Sequence, residues 1–350
     1  MAGPRGYSSY RGRTPKGKIA LAVVLVLIIL AAVGFILLQE NIFYDETGSP
    51  RLNLPWQTTD GQPTEDGEED LQEELDITVQ EAKEDIYAFT AASPLTQSGW
   101  EEAWTSASPM SAPPYNAVAV TMKGEDGRIY YDSDVAVSGA VETAEDTAAA
   151  LAEMTGMSYH TIARLSCFLD PLAAKADVEG MGLKNTGGFI FYDGDNLNWL
   201  DPSKPAARKY LCDLAAELAG MGFDEILLTN VSYPTVGKID KIDYNGADRA
   251  QSLRLFLEEM RAALAEYDIT LSVELPEDVI AAGQDSVAGQ VLTEIAPLVD
   301  RIYAVTGVER LPSLEAAVTA ANASTDFVPE LEAYTSDFAG ENGCLILPDD

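Results

Sequence analysis

Hydrophobic positions along this chain fall into three regimes. The first is Ile19–Leu38, twenty consecutive uncharged and almost wholly apolar residues. At a rise of ~1.5 Å per residue, a helix of that length matches a hydrocarbon core of about 30 Å. The second runs from residue 39 to about 80, where apolar residues thin out; nine acids and no Lys or Arg lie between Asp60 and Asp76. Such a stretch repels itself and buries no core, so an extended acidic disordered linker is expected. In the third regime, from Asn116 onward, short β-rich runs alternate with helical patterns.

The third regime predicts its elements in order. Ala117–Val120 reads as a strand that folds back at Arg128–Tyr131 across Gly124-Glu125-Asp126-Gly127. A helix over 143–155, a strand over 161–168 and a hairpin-like insertion at Phe189–Tyr192 follow. Asp201-Pro202-Ser203 should cap a helix with Leu211, Leu214, Ala215 and Leu218 on one face, stopping at Gly220-Met221-Gly222. Glu225–Val231 is nearly continuous in apolar residues, as in a strand buried on both faces. Then come a helix over 248–266, a strand over Ile269–Leu275, a helix carrying Val287, Val291, Ile295 and Leu298, and a strand over Arg301–Val305. A helix over 312–323, a strand over 326–329 and a last strand over Cys344–Leu347 complete the series. Residues 78–90 and 95–106 read as short helices leading in.

A βα alternation implies a mostly parallel sheet. The length suits a (β/α)8-type TIM-like barrel, which typically takes roughly 250 residues. Seven strands are evident, so the barrel is expected to be irregular, and a doubly wound open sheet is the alternative. No glycine-rich phosphate loop follows the first strand, so a nucleotide fold gains no support. The chain thus divides into a basic tail (1–18), a transmembrane helix (19–38), the acidic linker (39–80), a helical lead-in (81–114) and the barrel (115–350).

Charge orients the first segment. Arg5, Arg11, Arg13, Lys16 and Lys18 precede the apolar run, and Glu40, Asp45 and Glu46 follow it. The positive-inside rule then puts the N-terminus in the cytoplasm and the C-terminal domain outside the cell, with the membrane engaged through one helix. A cleaved signal peptide would carry a shorter run and a small-residue cleavage site, which Leu37-Leu38-Gln39-Glu40-Asn41 lacks. With 57 acidic and 22 basic residues, a net charge of −35 argues against nucleic-acid partners.

The three cysteines, Cys167, Cys212 and Cys344, form no C-x-x-C pair and read as small buried hydrophobes. One histidine, His160, rules out a multi-histidine metal site, and its place at the start of a strand suggests structure. No metal and no cofactor is expected.

Several stretches resemble the bacterial "putative glycosyl hydrolase domain" family. These are Ile162-Ala163-Arg164 with Phe168, Asp170 and Pro171, then Trp199-Leu200-Asp201-Pro202-Ser203 through Gly222-Phe223-Asp224-Glu225-Ile226. Ser272-Val273-Glu274, Gly289-Gln290 and Pro297-Leu298-Val299-Asp300 also match in order. The resemblance spans about 115–347 and implies a TIM barrel related to polysaccharide-cleaving enzymes. The chain departs from the family pattern at Thr229, where an acid is usual, at Ser232, where an arginine is usual, and at Thr121, where an aspartate is usual. The Pro-Met-x-Tyr-Pro-Ser-His motif is replaced by Tyr303-Ala304-Val305-Thr306-Gly307.

Glycoside hydrolysis needs two carboxyls flanking the bond, one of them protonated near neutral pH. In a barrel both belong at the C-terminal strand ends. Glu274 and Asp170 are the candidate catalytic acids, with Glu330, Asp193 and Asp195 also at that end; Asp170 could equally cap a helix, and Glu274 could pair with a base. Trp199, Tyr192 and Tyr233 are candidate sugar platforms, although Trp199 could instead anchor the insertion. Lys123 would contact an anionic sugar or pair with a carboxylate, and Glu330 joins the substrate-binding set. The expected function is therefore a membrane-anchored module that binds polysaccharide or cell-wall glycan with weak or no hydrolysis. The alternatives are an active divergent glycosidase using Glu274 and a second carboxylate, or a protein-interaction module of the cell envelope.

Overall fold

A computed structural model describes residues 85–106, 115–334, 338 and 340–347, together with two short strands nearer the N-terminus. The chain separates into two units, residues 1–79 and 80–350. In the first, Ile42–Tyr44 pairs antiparallel with Pro50–Leu52, so the segment expected to be wholly linker contains a strand pair. The apolar run 19–38 and the acidic run 60–76 lie outside the described residues. Among those described, no helix is long and apolar enough to cross a membrane.

The second unit is a closed ring of eight parallel strands. In chain order these are β1 (Ile86–Ala91), β2 (Ala117–Lys123), β3 (His160–Ser166), β4 (Glu225–Thr229), β5 (Thr270–Glu274), β6 (Arg301–Val305), β7 (Asp326–Leu331) and β8 (Gly343–Ile346). Each pairs with its sequence neighbour, and β8 closes on β1 with Gly343 opposite Ile86 and Ile346 opposite Phe89. Closure excludes the open doubly wound sheet.

Of the helix expected over 78–90, residues 78–84 lie outside the described residues and the rest is corrected to the strand Ile86–Ala91, where the barrel begins rather than at 115. Ile-Tyr-Ala-Phe-Thr-Ala alternates between two buried environments: Ile86 and Ala88 face the barrel interior, while Phe89 and Ala91 join the outer core. Among the helices are α1 (Gln97–Ser106), α2 (Thr147–Thr155), α3 (Pro171–Ala176), α4 (Pro205–Gly220) and α5 (Arg249–Ala263). Two other expectations change in detail. Asp201 bonds the backbone nitrogen and hydroxyl of Ser203 in a turn ahead of α4, whose cap position is Lys204. The single helix expected over 287–298 is a Gln284–Asp285/Gln290–Val291 ladder followed by a short helix from Leu292 and a 3-10 turn.

Strand alternation produces two cores. The larger lies between sheet and helices and contains residues such as Val118, Val120, Ala163, Leu165, Ile226 and Leu228. The smaller fills the barrel with Ile86, Ala88, Ala117, Ala119, Ile162, Leu227, Tyr303, Val328 and Leu345. Following the inward parity beyond that apolar middle layer leads to charge at both poles. At the N-terminal pole the inward residues are Glu225, Ser272 and Arg301; at the C-terminal mouth they are Arg164, Glu274 and Glu330.

Candidate active site

The mouth of the barrel holds a cleft of about 240 Å³, lined by Thr121, Lys123, Gly124, Glu125, Arg164, Ser166, Thr229 and Glu274. Drug-sized ligands usually occupy roughly 300–1,000 Å³, so this space suits a single sugar-sized group. Its lining is polar and includes no aromatic ring.

Arg164, two thirds of the way along β3, points into this mouth. Its Nη2 donates to Glu274 Oε2 at 2.6 Å and its Nη1 to Glu330 Oε2 at 2.8 Å. Burial works against its charge, but Glu330 and Glu274 more than offset that and raise its pKa. Glu330 is fully buried, whereas Glu274, the last residue of β5, keeps 28% of its side chain accessible. Burial among protein atoms and then the Glu330 charge raise the Glu274 carboxyl; Arg164 lowers it in part, and Glu125 adds a further rise. Together they push it up to about 7. Glu274 is thus desolvated enough to hold a proton near neutrality and open enough to deliver it.

Glu125 is the exposed acid of this cleft. It sits on the turn after β2, where a break in register between Thr121 and Lys123 ends the strand. Asn230 Nδ2 donates to its Oε1 at 3.0 Å. Asn230 follows β4 directly and adopts a left-handed backbone, φ 53°, which asparagine tolerates better than most residues. Among the described residues Glu125 has no basic partner within ion-pair distance.

The remaining candidates separate into support and periphery. Asp170 is fully buried: Oδ1 accepts from Ala173 N at 2.8 Å as the cap of α3, and Oδ2 lies 3.0 Å from Lys123 Nζ. Its catalytic assignment is corrected to a positioning one, because no substrate atom can reach it. Lys123 is equally buried at the edge of the cleft; its ammonium also donates to Ser166 O at 2.6 Å and so braces the strand ends. Glu330 acts through Arg164 rather than touching solvent. Trp199 is buried with Nε1 on Asp193 Oδ2 at 2.8 Å and anchors the insertion. Tyr233 is fully buried against Tyr244. Tyr192 is half exposed, in a groove separate from the cleft. Asp193 is spent on Trp199 and on the backbone nitrogens of Asp195 and Leu197.

The opposite pole has a different chemistry. Glu225, fully buried on β4, accepts from Arg301 Nη1 at 2.6 Å and from Ser272 Oγ at 2.6 Å, and His160 Nε2 lies 2.7 Å away. Burial alone would raise its pKa, but the His160 hydrogen bond and the Arg301 charge prevail and hold it at about 2. Among the described residues no cluster of three His, Cys, Asp or Glu side chains is placed to hold a metal ion. The three cysteines are buried and unpaired.

Against known proteins, the family described as "putative glycosyl hydrolase domain" matches residues 107–306. No curated protein matches the chain. Among solved structures, it is similar to a hypothetical protein from Ruminiclostridium thermocellum ATCC 27405, at 24% identity over 53% of this chain and 96% of that one, with a TM-score of 0.46. The PgaB (BpsB) glycoside hydrolase domain from Bordetella bronchiseptica matches at 13% identity over 71% of this chain and 84% of its own, TM-score 0.49. The PelA glycoside hydrolase domain from Pseudomonas aeruginosa matches at 13% identity over 70% and 83%, TM-score 0.38.

Proposed function

The chain belongs to the "putative glycosyl hydrolase domain" family, and from that premise we propose that its mouth cleft hydrolyses a glycosidic bond with Glu274 as the proton donor. The observation that carries this reading is a partly accessible carboxyl at a strand end that lines the mouth cleft, with burial and the Glu330 charge raising its pKa. A general acid works best when its pKa lies near the operating pH.

Glu125 supplies the second carboxylate. It follows β2 and Glu274 ends β5, three places apart in a ring of eight, so the two acids approach the cleft from different walls. Both line one cleft and the Glu125 charge acts on Glu274, so we assign Glu125 the role of base toward a water, the division of labour of an inverting enzyme. Glu274 gives its proton to the leaving oxygen as the C–O bond breaks. Glu125 takes a proton from the water whose oxygen bonds to the anomeric carbon. One water is consumed, and proton exchange with solvent returns both acids to their starting states.

A second reading, glycan binding with little turnover, is favoured by Arg164, which occupies Glu274 and Glu330 together, and by Thr121 and Thr229 at positions where the family usually has acids. Reducing-end release from a panel of soluble glycans by the full-length chain separates the two. Turnover that falls at least about 10²-fold in Glu274→Gln supports hydrolysis; an inert wild-type protein would leave only binding.

We also propose that residues 19–38 anchor the chain in the membrane with the barrel outside the cell. Protease added to intact cells should then digest the barrel and spare residues 1–18; full protection of the barrel would refute the orientation.

A further inference from the structure

Two loops on the mouth side lock together. One is the β3–α4 connection, residues 167–204, and the other the β4–α5 connection, residues 230–248. Thr186 N donates to Lys241 O at 2.8 Å and Asp243 N to Lys184 O at 2.9 Å, while Asn185 and Ile242 form a bridge. Farther along, a Cβ on Gly237 would come within 2.6 Å of Gly194 N, so the two backbones touch where only glycine fits. The result is a braced platform rather than a loose lid.

That platform exposes several large apolar side chains. Phe189 is 74% accessible, Tyr192 50% and Val236 49%, three of the seven large hydrophobics exposed among the described residues. Beside them runs a groove of about 310 Å³ lined by Asn185, Thr186, Phe191, Tyr192, Lys238 and Lys241. Lys238 has no carboxylate within ion-pair distance among the described residues. Ring faces next to amide, hydroxyl and ammonium groups suit a pyranose, whose apolar face packs on an aromatic while its hydroxyls bond to polar neighbours. The Glu274 cleft has no such ring. Both features lie on the βα-loop face, where a TIM barrel takes its substrate.

We infer that the Tyr192 groove and the Phe189 ring form an outlying subsite for an uncharged polysaccharide, so that the substrate is a chain of sugars and not a small glycoside. An anionic polymer is disfavoured because Lys241 already pairs with Asp240, leaving Lys238 alone against the chain's net charge of −35. The inference rests on the carbohydrate reading of the cleft, and binding can be scored apart from cleavage.

The test is affinity electrophoresis of the full-length chain in native gels containing hydroxyethyl cellulose, laminarin, dextran or soluble starch. Wild-type protein should be retarded in at least one gel. Phe189→Ala/Tyr192→Ala should weaken that retardation about tenfold, as two lost ring contacts imply. Glu274→Gln should retain it. Tyr267→Ala, an exposed ring on the α5–β5 loop at the other pole, is the control and should also retain it. Retardation of the wild type without hydrolysis would overturn the hydrolase reading and leave the subsite standing. No retardation of the wild type in any gel, equal retardation of the double variant, or an equal loss in Tyr267→Ala would overturn the subsite.

Discussion

Both poles of this barrel set a glutamate beside an arginine, yet the two glutamates are driven in opposite directions. At the N-terminal pole Glu225 meets Arg301, Ser272 and His160 and is held at about 2. At the mouth Glu274 shares Arg164 with Glu330 and also faces Glu125, and is pushed up to about 7. The difference lies in the count of partners. One acid with several donors is a finished ion pair; several acids around one guanidinium leave negative charge uncompensated, and a proton makes up the shortfall. The first arrangement stabilises the fold, and the second costs stability in a form useful to catalysis.

The largest expected effect tests the finished pair. Glu225→Ala strands Arg301 in the barrel and should cost about 3–5 kcal/mol in denaturant unfolding. A loss below about 1 kcal/mol would show that the two poles do not differ as described. Glu274→Gln, in contrast, should leave stability unchanged or higher while turnover falls at least about 10²-fold. If it destabilises the chain as much as Glu225→Ala does, Glu274 belongs to the scaffold.

The pH dependence sharpens the same contrast. An unfolded glutamate titrates near ~4.3. Glu225, lower when folded, contributes stability that is present above that value and lost as the pH falls through about 2. Glu274, higher when folded, contributes stability that is present below that value and lost as the pH rises through about 7. Unfolding measured from pH 4 to 8 should therefore show a decline toward neutrality that Glu274→Gln flattens.

The smallest effect concerns the neighbours of Glu274. Arg164 lowers its pKa and Glu125 raises it. Arg164→Gln should move the alkaline limb of the rate profile upward. Glu125→Asp, which keeps the charge on a shorter arm, should move it downward by about half a unit. Shifts in the same direction would show that these groups do not set the Glu274 proton.

Much of the barrel was legible in the chain because strands buried on both faces read as apolar runs; Glu225–Val231 and Ile269–Leu275 are examples. The first strand was hidden because Ile86–Ala91 follows a long acidic stretch and its two alanines weaken the β signal. Glu274 stood out as a lone acid at a strand end. Arg164 carried a signal that inward parity could have revealed, a charge two positions past the core residue Ile162. Glu125 had none: Gly-Glu-Asp-Gly reads as a turn, and its place at the cleft depends on a register break and on Asn230, more than a hundred positions away. Trp199 and Tyr233 misled because large aromatics serve packing as readily as recognition, and here both are enclosed.

Ring closure bears on how the domain comes to exist. β1 is among the earliest barrel segments to be synthesised, and one of its two edges waits for β8, the final strand to emerge. Until Gly343–Ile346 arrives, the sheet presents two bare edges, on β1 and on β7, each able to recruit a stray strand from another molecule. Chains cut short before Gly343 should therefore aggregate rather than remain soluble with a missing corner, and chaperone demand should persist until β8 has emerged.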